Sequence, residues 1–166
     1  MKIENRKKFI YSSLIIIVIF FLDRFSKIYI LSILEINGSV DIFLTKYLNI
    51  YLIWNEGIAF GLLSFDQSNI YSSITVLITI ISILILILII KTKDIRFYFY
   101  SFVFGGAVGN LFDRLYYSAV PDFIDLHINN YHWFIFNVAD IFITIGVLCL
   151  ILVELILNNS LDNEKK

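Results

Sequence analysis

The sequence predicts a mainly α-helical membrane protein: a four-transmembrane-helix bundle with a small β-sheet and a short interfacial helix on its outer, periplasmic face. Three observations predict it. Of 166 residues, 59% are hydrophobic and the mean hydropathy is +0.84, well beyond the soluble average. Four long apolar runs recur along the chain, separated by charged segments. Between the first two runs lies a stretch broken by Gly, Asp, Lys and Asn that carries an aromatic, β-branched strand pattern. One proline and no low-complexity linker point to a single membrane-embedded domain over 1–166.

The first apolar run, Phe9 to Leu22, is too short for a hydrocarbon core of ~30 Å at ~1.5 Å per residue. The expected span therefore runs through Asp23, Arg24 and Lys27, over roughly 9–31. Lys2, Arg6, Lys7 and Lys8 precede it as in a signal peptide, but no small-residue cleavage site follows, so a retained helix is expected. Asp23 and Lys27 are four apart and share a helical face. They form either a boundary ion pair with Arg24 and Lys27 snorkelling outward, or a brace for a polar site.

Residues 32 to 69 are interrupted by Gly38, Asp41, Lys46, Asn49, Gly57, Gly61 and Asp66. Leu48 to Trp54 reads as a short strand and Asn55-Glu56-Gly57 as a turn. A small sheet on the membrane is expected here, followed by a short interfacial segment at Ala59-Phe60-Gly61-Leu62-Leu63. The second span, 70–90, has no charge. The third, 97–114, contains Gly105 and Gly109 as GxxxG, which lets helices approach closely. It ends in Asn110, Asp113 and Arg114 on one face. From about Leu115 to Ile135 a loop rich in Tyr and Trp is expected at the interface. The fourth span is 136–157, with Asp140 near its start.

Lysine and arginine concentrate in the N-terminal segment, the connection after the second span and the C-terminal tail. The positive-inside rule then puts both termini in the cytoplasm. The polar residues of 105–140, with Asp23 and Asn55, gather at the opposite face. The net charge of −1 carries no basic surplus for a nucleic-acid partner, and the single Cys149 excludes an internal disulfide. No metal or other cofactor is expected: no Cys–His cluster has zinc spacing, and His127 and His132, in the expected loop, read as ordinary interfacial residues.

Carboxylates beside long apolar runs usually face a bundle interior and serve a function. Two near each other at a lipid boundary cannot both ionise easily, so such a pair shares a proton. One then accepts a proton from water while the other donates to a carbonyl oxygen, as in aspartic proteases. Asp113, Asp122, Asp125 and Asp140 are all candidates by spacing, with Asn110, Asn137 and Arg114 able to hold them. The competing explanation is that these acids cap helices and balance Arg114.

Five blocks, in order between the four runs, then decide the matter: Asp23-x-x-x-Lys27; Asn55-x-Gly57-x-Ala59-Phe60-Gly61; Gly105-Gly106-Ala107-x-Gly109-Asn110-x-x-Asp113-Arg114; Val120-x-Asp122-Phe123; and Phe136-Asn137-x-Ala139-Asp140. Over nearly its whole length the chain resembles bacterial lipoprotein signal peptidase (signal peptidase II). The resemblance implies an intramembrane aspartic endopeptidase of the cytoplasmic (inner) membrane, active at the outer leaflet. Such an enzyme cuts diacylated prolipoproteins before the lipidated cysteine and is inhibited by globomycin. It implies Asp122 and Asp140 as catalytic residues, and Asp23, Lys27, Asn55, Gly109, Asn110, Asp113, Arg114 and Asn137 as site-supporting or substrate-binding. A monomer surrounded by membrane lipid is expected. Two departures fall beside Asp122: Ser118 replaces the family's usual glycine, which would permit positive φ, and Pro121 removes a backbone donor and pushes Val120 towards extended geometry.

Two other classes fit less well. A small proton-coupled transporter also uses intramembrane carboxylates, but it needs a polar path and the second span has no ionisable residue. A non-catalytic assembly protein acting through GxxxG would leave the aspartates without a role.

Overall fold

The computed structural model describes residues 2–57, 67–129 and 131–163. Its elements are α1 (Lys2–Asn37), β1 (Asp41–Thr45), β2 (Leu48–Asn55), α2 (Gln67–Lys91), α3 (Arg96–Tyr117), β3 (Val120–Ile128), β4 (Tyr131–Phe136) and α4 (Val138–Asn163). A helix covers each of the four apolar runs. Two, over Tyr71–Lys91 in α2 and Val138–Ile156 in α4, are long and apolar enough to cross a membrane by length and composition. The other two are interrupted by mixed charges: Asp23, Arg24 and Lys27 in α1, and Asp113 and Arg114 in α3.

The hub is α3, which packs against α1, α2 and α4. Its glycines explain how. A Cβ on Gly105 would lie 3.1 Å from Ile19 Cβ, and one on Gly109 would lie 2.7 Å from Asp23 Oδ2, so the GxxxG face receives α1. A Cβ on Gly106 would lie 2.5 Å from the Ala139 carbonyl oxygen, and one on Gly146 of α4 would lie 2.6 Å from Val103 Cγ2. Small residues thus bring α3 and α4 into backbone contact, as packing within lipid requires.

The polarity is reversed relative to a soluble protein. Lys27, Asn137, Asp23, Asp113, Asp122 and Asp125 are among the largest fully buried side chains, whereas Leu14, Phe25, Leu84 and Leu152 point outward, each more than half exposed. Water would reward neither arrangement. Lipid solvates the outward apolar groups and drives the charged ones inward.

The loop expected over Leu115 to Ile135 is instead mostly sheet. β3 and β4 complete an antiparallel sheet of order β1-β2-β3-β4. Pro121 at the second strand position and Asp122, Asp125 and His127 hide the strand from composition, since proline and aspartate are depleted in strands. Residues 58–66, which include the Ala59-Phe60-Gly61 block and the expected interfacial helix, lie outside the described residues.

Phe123 fixes the sheet on the bundle by packing with Ile30 of α1 and Val40. Opposite this contact the register of β2 on β3 shifts: Ile50 pairs with Ile124, but Ile53 pairs with Asp122. One extra residue in β2 re-aims the strand end that carries Asn55. At the end of α3, Ser118 adopts φ 59° and ψ 18°. Serine therefore makes the left-handed turn that glycine would make, at a local cost of about 1–2 kcal/mol. Far from the sheet, Lys8 Nζ donates to the carbonyl oxygens of Ile90 and Thr92, at 2.7 and 2.8 Å, capping the C-terminus of α2.

Candidate active site

Asn137 links β4 to α4 and begins the site. Its Oδ1 accepts the Asp140 backbone N–H at 3.2 Å, and its own backbone N–H donates to Asp140 Oδ2 at 3.1 Å. This reciprocal pair is a capping box and satisfies two donors that the helix start would leave orphaned. The Asn137 amide nitrogen donates to Asp122 Oδ1 at 2.5 Å. One asparagine thus holds Asp122 on one side and Asp140 on the other. Asn55 Nδ2 donates to Asp122 Oδ2 at 2.8 Å, and Asn110 Nδ2 donates to Asp140 Oδ1 at 2.8 Å. Gly57, at φ +82°, folds the chain back so that its N–H reaches Asn55 Oδ1 at 2.7 Å and sets that amide's orientation.

Behind these carboxylates lies an ionic layer. Lys27 Nζ, fully buried, donates to Asp23 Oδ2 at 2.8 Å, Asp113 Oδ2 at 2.6 Å and Asn110 Oδ1 at 2.9 Å. Arg24 bonds the other Asp113 oxygen. Asp23 Oδ1 accepts the Ala139 N–H at 3.0 Å in the first turn of α4, where a carboxylate also meets the positive end of the helix dipole. Lys27 therefore braces a polar site instead of snorkelling. Asn110 relays between the layers, accepting from Lys27 and donating to Asp140.

The charge is divided unequally. Two acids, Asp23 and Asp113, hold the two cations, Lys27 and Arg24. Among the described residues, Asp122 and Asp140 bond only neutral amides and backbone N–H groups. Burial pushes the Asp122 carboxyl from 3.8 up to about 6; the bonds from Asn55 and Asn137 oppose that shift, and the nearby Asp140 adds to it. The arrangement is suited to holding one proton between two carboxyl groups.

Spacing had left four aspartates open, and the structure separates them. Asp113 is committed to Arg24 and Lys27. Asp125 faces a different part of the sheet, beside His127 and His132. Among the described residues, Arg114 makes no ion pair with a carboxylate: its guanidinium lies beside Gly57 and 5.8 Å from the Tyr71 ring centroid. The cations that hold Asp113 are Lys27 and Arg24, the latter read from the sequence as a boundary residue. Its signal was there, one position from Asp23, but the partner is 89 residues away.

The family model described as signal peptidase (SPase) II matches residues 15–156. A lipoprotein signal peptidase of Pelagibacter ubique (strain HTCC1062) is 57% identical over 161 residues, covering 97% of this chain and 97% of the relative. One from Anaplasma phagocytophilum (strain HZ) is 39% identical over 150 residues, covering 90% and 94%. Among solved structures, a bacterial membrane enzyme determined by the in meso method at 1.9 Å resolution superposes with a TM-score of 0.70 at 32% identity, covering 87% of this chain and 92% of that one.

Proposed function

The chain belongs to the signal peptidase II family, and from that premise we propose that it is an intramembrane aspartic endopeptidase in which Asp122 and Asp140 are the catalytic pair. Membership makes it a protease that removes signal peptides from lipoproteins. The substrate is a diacylglyceryl-modified prolipoprotein, cut just before the lipidated cysteine. The supporting observation is the division of charge: both cations of the buried cluster are bound by Asp23 and Asp113, while among the described residues Asp122 and Asp140 keep only neutral donors.

In the mechanism, the pair holds one proton and a water. The ionised carboxyl takes a proton from the water as it attacks the scissile carbonyl, and the protonated one donates to the carbonyl oxygen. Asn137 and Asn55 keep Asp122 oriented, and Asn137 and Asn110 keep Asp140 oriented. The roles interchange when the tetrahedral intermediate collapses and the leaving amine takes a proton. The substrate's acyl chains lie along the bundle, and this remote binding lowers the barrier by orientation.

The same reading has four membrane spans in the cytoplasmic (inner) membrane, both termini in the cytoplasm, and the sheet and aspartates at the outer leaflet. The Lys8 contact to the end of α2 supports it, since it holds two lysine-rich segments at one level. The protein works as a monomer in lipid, and globomycin inhibits it. The proton-coupled transporter finds no support in any of the comparisons.

The test is incubation of Asp122→Asn and Asp140→Asn variants with a diacylated prolipoprotein, with and without globomycin. Both variants are expected to be inactive. Cleavage by either at the normal rate removes the pair from the mechanism.

A further inference from the structure

The proposed mechanism leaves one buried acid unused. Asp125, in β3, is fully buried, and its Oδ1 has no hydrogen-bond partner. Its Oδ2 lies 2.8 Å from His132 Nδ1 and 3.4 Å from His127 Nδ1. His127 is 7% exposed, and its Nδ1 makes no hydrogen bond. The sequence put both histidines in a loop. They are in fact direct cross-strand partners in the β3–β4 hairpin.

Unpaired polar atoms this deeply buried ordinarily cost about 1–3 kcal/mol each, and one of them, His127 Nδ1, faces the Asp125 oxygen that already bonds His132 Nδ1. One ligand atom from each of Asp125, His127 and His132 lies within 4.8 Å of the others. A tetrahedral ion with bonds of about 2.0–2.2 Å separates its ligands by roughly 3.3 Å. The 3.4 Å gap already matches that figure, and the 2.8 Å gap opens by a small rotation of the exposed His132 ring. Asp125 and His132 also line a cavity of about 500 Å³ with Asp41, Asn49 and Tyr51. The buried Asn49 Oδ1 there lacks a partner as well, and the cavity leaves room for a water as fourth ligand.

We infer that Asp125, His127 and His132 form a binding site for one divalent transition-metal ion, distinct from the Asp122–Asp140 pair. Two imidazoles and one carboxylate select zinc or a neighbouring first-row ion over magnesium or calcium, which prefer all-oxygen ligands. The ion ties β4 to β3 and so braces the strand that carries Asp122.

The test uses the full-length, untagged protein in detergent after treatment with a chelator. Zinc is titrated calorimetrically, and thermal unfolding is followed with and without it. One equivalent is expected to bind and raise the melting temperature. Because His132 is exposed, His132→Gln should fold normally yet weaken zinc by at least about tenfold, as should Asp125→Asn. Asp140→Asn should keep the full titration. Failure of the unsubstituted protein to bind zinc, binding unchanged in both His132→Gln and Asp125→Asn, or binding lost in Asp140→Asn would each overturn the site.

Discussion

The side-chain amide of Asn137 donates to Asp122 Oδ1 at 2.5 Å, so the residue that starts α4 also fixes a carboxylate on β3. Asn137→Ala should lose two things together. Loss of the cap should cost about 1 kcal/mol of stability. Loss of orientation at Asp122 and Asp140 should lower kcat by about a hundredfold, the scale of a misplaced catalytic group. Denaturation in detergent and a steady-state cleavage assay measure the two effects. A stability loss with kcat unchanged would reduce Asn137 to a cap.

Asp122 gives stability a pH signature. Its carboxyl titrates near 3.8 when unfolded and about 6 when folded, so the folded state binds the extra proton. The contribution is full below 3.8 and is lost as pH rises through about 6. Melting temperatures of the parent and of Asp122→Asn should be compared across that window. The parent should lose stability relative to the variant as pH rises. A difference independent of pH would show that burial does not perturb this carboxyl.

Lys27 touches two acids; removing it strips Asp23 of its cation and leaves Asp113 with Arg24 alone. Lys27→Ala should destabilise the protein by about 3–5 kcal/mol, the usual cost of breaking a buried ion pair. Thermal unfolding in detergent reports this directly. A loss under 1 kcal/mol would mean that water enters the cluster and screens it.

The glycines of α3 should rank by what a methyl group would meet. At Gly106 it meets the Ala139 carbonyl oxygen at 2.5 Å, which is backbone and cannot swing aside. At Gly105 it meets Ile19 Cβ at 3.1 Å. Gly106→Ala should therefore cost about 1–3 kcal/mol and, by displacing the turn that holds Asp140, activity as well. Gly105→Ala should be milder on both counts. The reverse order would mean that α3 pivots on α4 rather than on α1.

The helices were legible because an apolar run is a local signal, and the GxxxG spacing announced close packing although not which partner each glycine meets. The pairing of the aspartates was not local. Asp122 reaches Asn137 because β3 folds back through β4 onto the start of α4, and it reaches Asn55 through a register shift in β2. Neither contact is visible in spacing along the chain. Arg24 shows the same limit: a cation next to a span end looks like a boundary residue until Asp113 arrives opposite it. The family blocks single out Asp122 and Asp140, a choice the proposed mechanism adopts, whereas the residue pattern alone leaves four acids equivalent. Ser118 adopts the left-handed conformation that glycine favours, so serine at this position does not prevent that turn.

Arg24 and Lys27 of α1 find Asp113 only after 89 and 86 further residues have been added. At about 5–20 residues per second the ribosome needs roughly 5–20 s to supply it. During that interval Lys27 has Asp23 one turn away, but Arg24 has no acid of its own in the nascent bundle. Under the proposed four-span topology, the first segment enters the membrane before Asp113 exists and settles only when the third helix emerges. In that topology, a chain stopped by a nonsense codon before that helix would leave Arg24 without the acid that pairs with it in the finished bundle.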